Sequence, residues 1–87
     1  MLVRYFGAAQ AAAGVAEERL DLGPASLDAV LEHITARYPL PVRVGGPAMP
    51  EVIARSSFLL NEVAARDRAR VLVVDDVLDI LPPFAGG

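Results

Sequence analysis

The stretch Ser26-Leu27-Asp28-Ala29-Val30-Leu31-Glu32-His33-Ile34-Thr35-Ala36-Arg37-Tyr38-Pro39 decides the fold. Ser26 can accept a hydrogen bond from a backbone N–H of the first turn, and Asp28 complements the positive end of the helix dipole. Leu27, Val30, Leu31, Ile34 and Tyr38 fall at the spacing of one buried helical face. Pro39 and Pro41 cannot continue the helix, so it stops before them. The stretch is one long amphipathic helix, and the segments on either side must supply the surface that it covers.

Upstream, Leu2 to Phe6 reads as a strand, with Val3 and Tyr5 on one face and Leu2, Arg4 and Phe6 on the other. The alanines of Gly7-Ala8-Ala9-Gln10-Ala11-Ala12-Ala13-Gly14 favour a short helical turn that Gly14 ends. Glu17 to Leu22 alternates polar and apolar residues and predicts a second strand, antiparallel to the first, which Gly23-Pro24 breaks. Downstream, Pro, Gly and small residues dominate up to Pro50. Glu51 to Arg55 predicts a helical turn with Val52 and Ile53 toward the core. Phe58-Leu59-Leu60 predicts a third strand entering a turn at Asn61-Glu62. Val71 to Val74 and Val77 to Leu81 predict two more strands around Asp75-Asp76.

The order strand, strand, helix, then further strands predicts an α+β fold. A mixed sheet with one long helix across a single face is its economical packing. With the first and last strands adjacent in the middle, this is the ubiquitin-like β-grasp arrangement. At 87 residues there is room for one core, and the 54% apolar content is ample for it. We expect a domain over residues 1–81 and an extended tail over 82–87.

The absence of cysteine excludes disulfides, thiolate metal sites and a catalytic Cys. The net charge of −3, with 11 acidic against 8 dispersed basic residues, argues against nucleic-acid binding. No apolar run approaches the roughly 20 residues of a membrane span, and the N-terminus does not read as a signal peptide. A cytoplasmic protein is expected. Every basic residue is Arg, so no side chain here offers a primary amine.

The end of the chain, Leu81-Pro82-Pro83-Phe84-Ala85-Gly86-Gly87, carries the functional signal. Two prolines stop a central strand and favour an extended exit. The six residues from Pro82 reach about 20 Å at roughly 3.3 Å each. The two final glycines carry no β-carbon, so the backbone can thread a narrow channel. No self-contained active site accompanies this tail. His33 reads as a surface helix residue, Ser56-Ser57 as a loop-to-strand junction without a base, and Asp75-Asp76 and Asp79 as a solvated turn in preference to a group that attracts a cation. No metal site is expected.

Val3-Arg4-Tyr5-Phe6-Gly7-Ala8, Gly14, the helix from Ser26, Asn61 and the Pro-Pro-x-x-Gly-Gly ending together resemble the MoaD/ThiS sulfur carriers, prokaryotic relatives of ubiquitin. The ending is most similar to the MoaD branch. The resemblance implies that Gly87 is the working residue: an adenylating enzyme of the MoeB/ThiF type activates its carboxylate with ATP and Mg²⁺. A sulfur donor then leaves a C-terminal thiocarboxylate. Pro82, Pro83, Phe84, Ala85 and Gly86 would thread the partner's active site. The chain itself would bind no cofactor.

As the small subunit of molybdopterin synthase, it would deliver sulfur beside a MoaE-like large subunit. Other readings are a carrier for the thiamine thiazole or cysteine, a protein modifier, or a binding module with an inert tail. Docking is expected on the sheet face opposite the helix through Phe6, Leu60 and Leu81. Two departures from the family pattern, Asn61-Glu62 for Asn-Gly and Val74-Asp75-Asp76 for Asp-Gly-Asp, predict differently built loops between residues 61 and 76.

Overall fold

The computed structural model describes residues 1–83. Its elements run β1 (Leu2–Tyr5), α1 (Gly7–Ala13), β2 (Glu17–Arg19), β3 (Ala25–Ser26), α2 (Leu27–Arg37), α3 (Met49–Arg55), β4 (Ser57–Leu60), β5 (Val63–Ala64), β6 (Val71–Leu72) and β7 (Val77–Leu81). Five strands form one mixed sheet in the order β2-β1-β7-β4-β5, with β1 and β7 parallel and the other pairs antiparallel. The first and last strands therefore lie side by side near the middle, as the element order predicts. The register sets Leu2 opposite Val77 and Tyr5 opposite Ile80.

Side chains alternate across this sheet. Val3, Tyr5, Phe58, Leu60, Leu78 and Ile80 are buried, and they meet Leu27, Val30, Leu31 and Ile34 of α2 in a single core. The Ser26 side chain accepts from Ala29 N at 3.1 Å, so the predicted cap is in place. Arg37 is the last helical residue, ahead of Pro39. At the far end of α2 the Tyr38 hydroxyl donates to Glu18, and Arg37 Nε lies 2.8 Å from Glu18 Oε1. The Tyr38 ring meets that of Tyr5 edge-on, with centroids 6.2 Å apart. These contacts pin the helix end to β2. Burial raises the Tyr5 pKa well above the ordinary phenol range, with Glu18 as the next contributor.

Gly14 closes α1 in the left-handed conformation, at φ +77°, which suits a residue without a β-carbon. α3 packs against both α1 and α2. It begins two residues earlier than the turn read from Glu51, at Met49, because Pro50 sits in the first turn, where a missing N–H costs nothing.

Three predicted strands are shorter than expected, each for a local reason. β1 ends at Tyr5 rather than Phe6 because Phe6 is the N-cap of α1. β2 ends at Arg19 rather than Leu22 because its partner β1 begins at Leu2. Leu20 N still donates to Met1 O at 2.8 Å, and beyond that no β1 backbone remains to pair with. The strand expected over residues 71–74 keeps only Val71 and Leu72, which pair with Ala25 and Ser26 in a separate two-stranded sheet. The chain then turns, with Asp76 Oδ2 accepting from Val73 N at 2.8 Å.

A further correction concerns facing. Leu60, expected on the exposed sheet face, is 4% exposed and points into the core opposite Leu78. Leu59 takes the outward position instead, opposite Asp79. A shift of one residue along a strand exchanges its faces. Replacing Leu60 by Ala should therefore cost about 3 kcal/mol of stability, the range for emptying a core leucine site. Leu59→Ala, on the half-buried side, should cost about 1 kcal/mol or less. Urea midpoints of the two variants check the assignment.

Candidate functional site

β7 is central, hydrogen-bonded to β1 on one side and β4 on the other. It delivers the chain to Leu81, which is partly exposed, and then to Pro82 and Pro83. Neither proline has an N–H to continue the ladder, so the sheet ends there. A groove of about 380 Å³ opens beside this exit, lined by Ala8, Glu51, Val52, Arg55, Pro82 and Pro83. Phe84, Ala85, Gly86 and Gly87, the remaining predicted tail residues, lie outside the described residues.

The face of the sheet away from α2 carries the outward set of the alternation: Leu2 and Arg4 from β1, Leu59 from β4, and Val77, Asp79 and Leu81 from β7. Phe6 continues the outward parity of β1 and is 41% exposed. Of the predicted docking residues, the structure thus brings Phe6 and Leu81 to this face and removes Leu60. Leu59 is the residue that sequence reading missed. Its neighbours Phe58 and Leu60 are equally apolar, so no polar residue marked which of the three faced outward.

At the centre of the face Arg4 and Asp79, opposite one another on β1 and β7, form a two-pronged ion pair. Arg4 Nε is 2.6 Å from Oδ1 and Nη2 is 2.8 Å from Oδ2. Asp79 is 4% exposed, a level at which a carboxylate without a partner would be costly. The hydrogen bond to Asp79 is also the largest influence raising the Arg4 pKa further above its ordinary value. Opposite charges at outward positions of the first and last strands were the sequence signal for this pair. Asp79 is thus held by Arg4 rather than solvated.

The start of β7 is fastened differently. Asn61 Nδ2 donates to Asp76 Oδ1 at 2.9 Å, while Asn61 Oδ1 accepts from Val77 N at 2.9 Å. One amide thereby joins the β4–β5 turn to the entry of the strand that leads to the tail. The turn has no glycine, and both its central residues adopt positive φ, Asn61 at 51° and Glu62 at 69°. The loop is built as a hairpin turn of the left-handed kind, with Asn61, which adopts that conformation readily, and Glu62, whose side chain resists it.

Among the described residues, no group of three or more His, Cys, Asp or Glu could hold a metal ion. His33 is exposed on α2, and the Ser56 hydroxyl bonds back to Val52 O at the end of α3. No described helix is long and apolar enough to cross a membrane.

A family model described as the ThiS family matches residues 3–87. Among solved structures, molybdopterin converting factor, subunit 1, from Pyrococcus furiosus is similar at a TM-score of 0.73 and 24% identity, over 95% of each chain. SAMP1 from Haloferax volcanii is similar at a TM-score of 0.72 and 27% identity, over 100% of this chain and 98% of its own. A comparison with curated proteins gave no match.

Asp76 supplies a pH test of the tie at β7. Its pKa lies below the usual carboxylate value, chiefly through the Asn61 hydrogen bond and then through Val73 N. A depressed folded pKa stabilises fully above the unfolded value near 3.9, and that contribution is lost as pH falls through the lower folded value. The site is open to water, so Asp76→Ala should cost about 1 kcal/mol at neutral pH. Urea unfolding at about pH 7 and about pH 2.5 should show the deficit shrinking in acid.

Proposed function

The chain belongs to the ThiS family of ubiquitin-like sulfur carriers, and from that premise we propose that its working group is the C-terminal carboxylate of Gly87. The observation that carries this reading is the extent of the family match, which runs to residue 87 and so includes the Gly86-Gly87 ending. An ionised carboxylate, with pKa near 3.5, resists nucleophilic attack. Adenylation by an ATP- and Mg²⁺-dependent partner of the MoeB/ThiF type converts it to an acyl-adenylate. A sulfur nucleophile then attacks the acyl carbon, AMP leaves, and a thiocarboxylate results. The partner stabilises the developing oxyanion with its own positive charge. The carrier contributes position.

In this reading residues 1–81 form the body and 82–87 the tail. Pro82, Pro83, Phe84, Ala85 and Gly86 span the distance into the partner's active site. Phe6, Leu59 and Leu81 supply the apolar contact on the sheet face next to the exit, where a partner that receives the tail must sit. We further propose that the acceptor is the molybdopterin precursor, with this chain as the small subunit beside a MoaE-like large subunit. The similarity to a protein named molybdopterin converting factor, subunit 1, supports that choice of acceptor.

The test is chemical. Incubation with ATP, the host's adenylating enzyme and a sulfur donor should replace one oxygen of the protein by sulfur, read by intact mass. A chain lacking Gly87 should keep the fold, by circular dichroism and melting temperature, yet show no such mass change. Sulfur transfer by the truncated chain would overturn the assignment.

A further inference from the structure

Glu62 stands where the backbone would favour a different residue. At φ 69° a side chain crowds the following carbonyl, a penalty glycine does not incur. The preceding residue is held at its positive φ by two hydrogen bonds, from Asn61 Nδ2 to Asp76 and from Val77 N to Asn61 Oδ1. Nothing comparable holds Glu62. Among the described residues its carboxylate takes part in no hydrogen bond and no ion pair.

Its position is the second observation. A depression of about 240 Å³ on the outer sheet face is lined by Arg4, Asn61, Glu62 and Val77. Within it the other polar side chains are already engaged. Arg4 is held on both prongs by Asp79, and both ends of the Asn61 amide are used. Glu62 is the uncommitted group, and it is negative. Glu17, opposite Arg4 on β2, lies level with Asp79, while Arg19, opposite Leu2, lies level with Val77. Glu62 and Glu17 both act electrostatically on Arg4.

The depression and the tail exit belong to one face. β7 spans both, from Val77 at the depression to Leu81 at the exit, about 13 Å at roughly 3.3 Å per residue. An interface of standard size buries about 800 Å² on each partner, a patch roughly 30 Å across. A protein that takes the tail and rests on Leu81 therefore also covers Glu62.

We propose that Glu62 is an affinity-determining residue for the adenylating partner, and that the depression receives a basic side chain, an arginine or lysine, from that enzyme. This rests on the carrier reading above. The strain at Glu62 is then the cost of presenting a carboxylate at a fixed place on the rim of an apolar face. Pairing there favours the bound state and speeds encounter.

The experiment uses the full chain and the host's adenylating enzyme, measured by ATP-pyrophosphate exchange as a function of carrier concentration. Glu62→Gln keeps the volume and removes the charge. It should raise KM for the carrier about fivefold at low salt, with kcat retained, and should flatten the rise of KM with added salt. Glu62→Gly should show the same loss of affinity while melting about 4 °C higher than the wild type, which separates the contact from the fold. A KM within twofold of wild type for both variants would overturn the proposal while leaving the carrier reading intact. Absence of exchange with the wild-type chain would overturn both.

Discussion

The parallel contact between β1 and β7 is the constraint on which the other features depend. It joins residues some 75 positions apart, so the chain must close almost its whole length before that ladder can form. On the inner side it buries Val3, Tyr5, Leu78 and Ile80 under α2. On the outer side it holds Arg4 against Asp79. A carboxylate that is 4% exposed in mid-sheet is tolerable only while its partner is present. The pair therefore specifies register as well as contributing contact: a slip of one residue would place Asp79 in the apolar core and Leu78 outside. The element order, the mixed pairing and the exit of the tail all depend on this adjacency.

Much of this arrangement was legible in the sequence. The helix from Leu27 to Arg37 announced itself because a capping Ser26, a 3.6-residue apolar period and Pro39 all agree. The facing of β1 was readable because Arg4 interrupts an apolar run and marks its outward side. β4 was not, since Phe58-Leu59-Leu60 offers three apolar side chains in succession. The choice between Leu59 and Leu60 was made by the neighbouring strand, through Asp79 and Leu78, and a local window holds no trace of it. The β3–β6 pair was hidden for a related reason. Each strand is two residues long, and Ala25-Ser26 meets Val71-Leu72 across a wide gap in sequence.

Of the candidate site, the motif was visible and the surface around it was not. The glycines and prolines at the chain end declare themselves by composition. The outer sheet face proposed for docking is a product of pleating and register, and its polar centre joins residues from opposite ends of the chain. The Asn61-Glu62 turn shows the limit most clearly. Both residues tolerate turns, so a turn could be read, but only the dihedral angles reveal that Glu62 adopts a glycine-like conformation. A residue chosen against its backbone preference carries information about its surroundings, and sequence alone does not disclose the preference being overridden.

On the carrier reading proposed above, the placement of β7 has a mechanical consequence. An edge strand would be held by one ladder, and a partner drawing on the chain beyond it could peel it from the sheet. β7 is held by two, with β1 antiparallel to β2 and β4 antiparallel to β5 carrying the load outward on either side. Its first residue is fastened as well, by the Asn61 amide to Val77 N. Its middle is fixed by the Arg4 fork on Asp79. A pull on the chain beyond Leu81 is thus shared among several hydrogen bonds at once, and the body can remain folded while its end is handled elsewhere. On that reading, in which partners supply the acid, base and metal chemistry, a body that stays folded while its terminal carboxylate reacts is the contribution the fold makes to the chemistry.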